Sequence, residues 1–554
     1  MTRQGDGDRV VQTLVGHFFR RFFDNDTVHV QGETLTTVVR ALSAAAVPGL
    51  MCAFFLQNQY PRRSMWGAIQ DQYLFVLFSF VAMGAVAVVE WEMLFPDRLD
   101  FLVLTPLPLK SRQLLASKAL ALAGFLALFL FSANMFGAFV LPAVSKGDFY
   151  RQVYAHVVAT TLAGMFAALA LLALGGVMLC VLDPRRFRVA SPALQMGIVV
   201  VLGLLLIHYG RFSDDLQAIL AEPLGRARWV PPFWFLGVYE TLLHGSAAPA
   251  FARDLAHYAY VATAVVAGVV ALTYPLAWAR MQQVAIEGET RSGREPLRWW
   301  SNVVRALVKR PGERAMFHFI GQTLGRNARY QAYLAIYGGL GLSLVLGCAL
   351  EISAAGGRLH VEFQSAGLHV MLPLLLFWLV AGLRTAFAFP LSLAAGWVFR
   401  VTGVGVQECA AAARRWVLCG CLGLTGTVMG VVIAVGWRFG DVLVQGAMGT
   451  CLGVLLTDAF FYSEEHVPFN RPRMPGRANF PLLLTLYVGI LPVFVMGVVR
   501  LEGRLEHKLW VLLEMCVGTA LIHLGLERLR NEPTVAEEEL EGYDEEFQLL
   551  GLSQ

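Results

Sequence analysis

Residues 73–94 read YLFVLFSFVAMGAVAVVEWEML, an apolar run whose first charge comes only at Glu90. Such a run forms one helix long enough to cross a hydrocarbon core of ~30 Å. Working outward, comparable blocks of roughly 18 to 25 residues recur along the chain. The others lie at about 38–56, 119–142, 157–181, 191–209, 258–279, 331–350, 369–388, 416–437, 442–463, 480–499 and 508–526. Over all 554 residues, 56% are hydrophobic and 15% charged, too few charges to cover the surface of a soluble protein of this length. The reading is an all-α polytopic membrane protein of about 12 transmembrane helices.

The charges give the direction of threading. With both termini in the cytoplasm, most of the 44 Lys and Arg residues fall on inner loops and inner helix ends. The segment 229–243, WVPPFWFLGVYETLL, is short and broken by Pro231 and Pro232, and is expected to form a re-entrant or interfacial hairpin rather than a crossing. The first residues carry no continuous apolar core, so no cleavable signal peptide is expected and the first span would act as a signal anchor. Val11, Leu14, Phe18 and Phe22 recur at helical spacing beside Arg20 and Arg21, a helix suited to lie on a membrane surface. These features predict a multi-pass membrane protein with both ends in the cytoplasm.

The organisation repeats. A shift of about 294 residues brings the first six spans near the second six, and Phe95-Pro96 then corresponds to Phe389-Pro390. Six spans per half leave both halves with the same orientation, which predicts two parallel six-helix modules in a pseudo-dimer. The expected divisions are an amphipathic helix at 1–34, a first module at 35–280 and a basic cytoplasmic linker at 281–330. A second module at 331–526 and an acidic cytoplasmic tail at 527–554 complete the chain. Within the first module, 96–118 is a cytoplasmic loop and 210–257 an external region.

Chemistry-bearing motifs are few. There is no G-x-x-x-x-G-K-[ST], G-x-S-x-G, H-E-x-x-H or C-x-x-C. His208, His244, His257, His318 and His466 are scattered, the eight cysteines mostly sit in apolar blocks, and no metal site is expected. A net charge of +4 does not support a nucleic-acid partner. No catalytic residue and no cofactor are therefore expected in this chain. Charges near or within spans are functional candidates because burying them unpaired is expensive. Arg40, Glu90, Glu92 and Arg384 lie near inner helix ends, where long side chains snorkel. Glu240, Arg384, Asp458 and Glu514 are candidates for a polar pathway or for intramembrane pairing, Glu240 and Glu514 with Arg226, Arg228 or Arg504 as possible partners.

The most informative stretch is 91–118, WEMLFPDRLDFLVLTPLPLKSRQLLASK. Pro96 ends the second span, Asp97, Arg98 and Asp100 punctuate a short apolar helix, and Thr105-Pro-Leu-Pro108 stops it. This segment resembles the loop between spans two and three of the ABC-2-type permeases of bacterial ABC exporters. There a polar turn precedes a helix reading roughly L-x-x-L-x-x-x-P-[IL], then a basic-flanked helix and a span. The matching residues are Asp97, Leu99, Leu102, Thr105, Pro106, Leu107, Pro108, Leu109, Lys110, Leu114, Leu115 and Lys118. The resemblance covers mainly 11–142.

It implies a transmembrane exporter subunit driven by a separate cytoplasmic ATP-binding subunit, two copies of which would carry the ATP and Mg²⁺. The loop residues Asp97, Arg98, Leu99, Leu102, Pro106, Leu109, Lys110 and Lys118 would dock that subunit, with Phe389, Pro390, Trp397 and Arg400 at the matching place in the second half. That half departs from the pattern, keeping Phe389-Pro390 but offering Val401-Thr-Gly-Val-Gly405 where Thr-Pro-Leu-Pro would stand, so the two halves would grip the ATPase unequally. An ion-coupled secondary transporter also suits twelve spans, although the loop signature G-x-x-x-D-[RK]-x-G-[RK] is absent. A membrane-embedded enzyme or an assembly scaffold is the remaining alternative.

Overall fold

The computed structural model describes residues 2–23, 34–57, 63–95, 98–104, 106–145, 147–221, 225, 229–287, 304–306, 308–353, 360–388, 404–462, 467–469, 480–505 and 509–531. Among these, ten helices are long and apolar enough to cross a membrane. The protein is an all-α polytopic membrane protein. A two-stranded antiparallel hairpin, β1 (Leu350–Ser353) with β2 (His360–Phe363), is paired Leu350 to Phe363 and was not foreseen from the sequence.

The first part of the chain forms α1 (Thr2–Phe23), α2 (Thr34–Gln57), α3 (Met65–Val89), α4 (Arg98–Leu104), α5 (Ser111–Val144), α6 (Phe149–Val181) and α7 (Pro184–Ile207). Two single turns, α8 (Tyr209–Asp214) and α9 (Leu216–Ala221), precede α10 (Pro231–His244) and α11 (Ala250–Glu287). Then follow α12 (Pro311–Arg326), α13 (Ala328–Ala349), α14 (Ser365–Ala388), α15 (Val406–Ala434), α16 (Phe439–Phe460), α17 (Phe480–Leu505) and α18 (Leu509–Asn531). Each expected span falls on one helix. The helices often outrun the apolar blocks, as α5, α6 and α11 do, and polar caps mark where some of them begin. Ser64 Oγ accepts from the Gly67 N–H at 3.0 Å before α3, and Asp148 from the Tyr150 N–H at 3.2 Å before α6.

The chain divides into two compact units. The first comprises 1–309, 318–371 and 472–483, and the second 310–317, 372–471 and 484–554. In the first unit small residues let helices approach closely, as membrane packing favours. A Cβ on Gly203 of α7 would stand 2.5 Å from Ser343 Oγ of α13, and one on Gly164 of α6 would stand 2.8 Å from Ser79 Oγ of α3. This unit thus includes α13, the helix that the repeat counts as the first span of the second module. In the second unit α15 meets α16 in the same way, with Gly453 beneath Cys421.

The apolar stripe of α1 does not stay available to a membrane surface. Phe18, Phe22 and Phe23 are buried, and Phe22 stacks on Phe125 of α5 at 4.8 Å between ring centroids. The outward face of α5, with Leu120, Phe131 and Phe139, stays apolar and exposed, as a lipid-facing helix surface must. The segment expected as a re-entrant or interfacial hairpin includes the single helix α10. Its 14 residues span about 21 Å, short of a crossing. Pro231 and Pro232 start it, where a missing N–H costs nothing, and Gly245 at φ +60° ends it.

Candidate functional site

The short helix α4 has seven residues, too few to persist alone. Tertiary anchors hold it. Asp100, almost fully buried, takes Lys118 Nζ of α5 at 3.1 Å on one carboxylate oxygen and Arg21 of α1 on the other. Lys118 is itself 2% exposed, and its ammonium stands 5.0 Å from the Phe18 ring and 5.7 Å from the Phe22 ring. A desolvated ammonium over aromatic faces gains a cation–π attraction in addition to the ion pair. On the other side Phe101 meets Trp278 of α11 edge to face at 5.2 Å, and Trp278 donates through Nε1 to Ser111 Oγ at 3.2 Å. Three helices therefore fix α4: α1 and α5 through charge, α11 through an aromatic contact.

With Asp100 and Phe101 turned inward, the opposite side of this segment faces out. Val103 is 63% and Leu107 48% exposed, and Pro106, Pro108 and Lys110 are exposed beside them. Leu109 is half-buried and packs with Phe101, Leu114 and Trp278. The Lys110 N–H donates to Gln113 Oε1 at 3.1 Å, which starts α5. Of the docking residues expected from the sequence, Pro106 and Lys110 are exposed and Leu109 is half-buried, whereas Lys118 is buried against Asp100 and does not offer its ammonium to a partner. Arg98, Leu99 and Leu102 lie on the backbone of α4. Asp97, Phe389, Pro390, Trp397 and Arg400 lie outside the described residues.

Sequence reasoning missed the partners Arg21, Asp100, Phe101 and Trp278 as a group. The available signal was Asp100, a charge set inside a short apolar helix that a lipid-facing or wholly exposed helix would not need. Its pairing with Lys118 spans 18 residues and with Arg21 79 residues, so spacing alone does not reveal it.

The pathway candidates separate. Asp458 of α16 is buried and saturated: His523 Nδ1 of α18 stands 2.7 Å from Oδ2, and Arg530 donates to Oδ1 at 2.8 Å and to the Asp458 carbonyl at 3.1 Å. In the same unit Glu313 pairs with Arg415 at 2.9 Å, and burial pushes its carboxyl up against the pull of that guanidinium. Arg384 lies over the Phe460 ring at 5.9 Å. Glu514 is exposed on α18. Glu240 is different, being 1% exposed with neither carboxylate oxygen in a hydrogen bond. Its neighbour His244 places Nε2 3.4 Å from Oε2 without hydrogen-bond geometry. Arg226 and Arg228, considered as its partners, lie outside the described residues.

Among the described residues no group of three or more His, Cys, Asp and Glu side chains is arranged to hold a metal. Comparison with protein-family models, with curated proteins and with solved structures finds no match. The chain is a polytopic, largely helical membrane protein, and its function has to be read from the sites themselves.

Proposed function

We propose that this chain is the transmembrane permease subunit of an ATP-binding cassette exporter whose ATPase is a separate protein. The observation that carries the reading is the α1–α4–α5 joint. A helix too short to stand alone is clamped by a buried ion pair while Val103 and Leu107 are turned outward. A clamped helix with an apolar outer side suits a rigid element on which a partner pushes. Motion delivered there passes to α5 and α1 through Asp100, and to α11 through Phe101.

The resemblance of 91–118 to the ABC-2 coupling loop names the partner as a cytoplasmic ATP-binding subunit, in two copies. ATP and Mg²⁺ belong to that subunit. The loop would lie on the cytoplasmic side of a bacterial inner membrane, with both termini on the same side. The two six-span modules would form a pseudo-dimer around the substrate path, gripped unequally because 389–405 lacks the Thr-Pro-Leu-Pro element.

The test is copurification of the full chain with a Walker-motif ATPase from the same operon, followed by ATPase assays on Val103→Glu and Leu107→Glu. Loss of association with the membrane helices intact is the expected result. Undiminished association and substrate-stimulated ATP hydrolysis in both variants would sink the docking assignment.

A further inference from the structure

The interior of the first unit gathers polar side chains from four helices that satisfy one another only in part. Gln72, Tyr73 and Ser79 come from α3, Asn134 from α5, His156 from α6 and Glu240 from α10, all buried. Part of the group is bonded. Asn134 Nδ2 donates to Ser79 Oγ at 2.9 Å, and Ser79 Oγ donates to the Thr160 carbonyl at 2.7 Å. The Tyr239 hydroxyl stands 3.4 Å from His156 Nδ1.

The remainder is not. Gln72 Oε1, the Tyr73 hydroxyl, both Glu240 oxygens, His156 Nε2 and Asn134 Oδ1 are buried with no hydrogen-bond partner. Each carries a desolvation penalty, and native proteins meet clusters of this kind with ordered water or a ligand.

Members of the group lie at two levels along α3. Gln72 and Ser79 are two turns apart on α3, a rise of about 10 Å, with Phe75 between them set edge-on to His156 at 5.3 Å. Tyr239 and Glu240 are neighbours on α10, so one helix serves both the His156 level and the Gln72 level. Gly137 of α5 leaves the His156 ring room: a Cβ there would stand 3.0 Å from Nε2.

We propose that this interior is a hydrated proton-binding column, in which Glu240 takes up the proton and water continues the path to His156 and Asn134. A carboxylate accepting a proton from hydronium becomes a neutral acid and releases water, which removes a buried charge and supplies an O–H donor for the Gln72 level. Burial pushes the Glu240 carboxyl up to about 7, with Gln72 lying close enough to offset part of the effect though not in hydrogen-bond geometry.

Among the described residues no Lys or Arg side chain is paired with Glu240. On α10 itself the His244 ring is the ionisable neighbour, its Nε2 3.4 Å from Oε2. From α6, Arg151 is engaged with the Leu242 carbonyl at 3.1 Å, and His156 faces Tyr239. From α3, Arg63 at the helix start is held by Asp71 at 2.6 Å, and Tyr73 stacks on Phe233 at 4.8 Å. On α11, Arg253, Asp254 and His257 are exposed, while Ala252, Leu255 and Ala256 are the buried residues of that turn. The assignment does not rest on the ABC reading.

Two measurements on the full chain in lipid nanodiscs test it. Infrared difference spectra across pH 5 to 9 are expected to show a carboxylic-acid band that titrates near neutrality and disappears in Glu240→Gln. A spectrum unchanged by that substitution overturns the proton site. Separately, Ser79→Cys is expected to react with a small water-soluble methanethiosulfonate at least tenfold faster than Leu77→Cys, with the label located by mass spectrometry. Leu77 is equally buried but belongs to an apolar cluster. Equal rates, or an unreactive Ser79→Cys in protein of native elution volume, overturn the hydrated column. If Ser79→Cys does not fold, the carboxyl titration alone decides.

Discussion

Two buried polar regions of the first unit obey opposite rules. At the α1–α4–α5 joint every buried charge meets its complement: Asp100 takes Lys118 and Arg21, and Lys118 also lies over two phenyl rings. In the α3–α5–α6–α10 interior, six buried side-chain atoms on five residues are left without partners. Both arrangements are costly to place in an apolar interior, so the difference is informative. A saturated ion pair gives geometry, because breaking it leaves an uncompensated charge. An unsaturated group gives affinity for whatever completes it. The joint reads as a mechanical element and the interior as a binding one.

The largest expected effect breaks the joint. Lys118→Met takes the buried ammonium away from the buried Asp100 carboxylate, and should destabilise the protein by about 3–5 kcal/mol. Adding Asp100→Asn removes the carboxylate charge that Lys118 had balanced, and the double variant should recover part of that loss. Thermal unfolding in one detergent, followed by helical circular dichroism, measures both. A double variant no more stable than Lys118→Met would mean that the pair is not the clamp.

The interior makes the next test, and its sign is opposite to the usual acid effect. The Glu240 carboxyl is raised in the folded protein, to about 7 from 4.5, so between these values the folded state binds more protons than the unfolded one. Stability from this group is therefore greatest at acid pH, declines as pH rises from 4.5 to 7, and levels off above that. The span is about 3 kcal/mol on the linkage relation. Glu240→Gln should flatten the profile and be the more stable form at pH 8. A profile that keeps its slope in the variant assigns the slope to other groups.

A smaller effect is expected in the second unit, where Asp458 repeats the logic of the joint at the α16–α18 contact. Asp458→Asn retains the shape but lowers the charge that Arg530 and His523 face, and should cost about 2 kcal/mol. Arg530→Gln in that background should then add little. Full additivity of the two would show that they do not act as a pair.

What the sequence made legible follows from which signals are local. Twelve apolar blocks became helices because length and hydropathy are properties of a continuous stretch, and Pro96 with Thr105-Pro-Leu-Pro108 bracketed α4 because proline acts on its own turn. Lys118 stood out as the basic residue before a span, and Glu240 as a carboxylate in an aromatic segment. Their partners were not legible. Asp100 reaches Arg21 across 79 residues, Tyr239 reaches His156 across 83, and Asn134 reaches Ser79 across 55. Such pairs are created by helix packing, and no periodicity within either helix announces them. The strands β1 and β2 were missed for a related reason: they are four residues each, joined to the ends of apolar helices, with a hydrogen-bonding pattern that exists only once paired.

The smallest change in stability carries the sharpest functional contrast. Val103→Glu and Leu107→Glu alter exposed positions that support no described packing, so each should shift stability by no more than about 0.5 kcal/mol. Yet an acidic side chain in the centre of an apolar docking surface must be desolvated or expelled when a partner seats there. On the proposed function, association with a partner ATPase should therefore fall steeply while thermal unfolding is unchanged, the reverse of Lys118→Met, which should lower stability first and coupling as a consequence. Measuring unfolding and ATPase copurification on both classes of variant separates a surface that binds from a clamp that positions it. If Val103→Glu and Leu107→Glu leave association intact while Lys118→Met abolishes it in folded protein, the partner touches the joint elsewhere than on the outer side of α4.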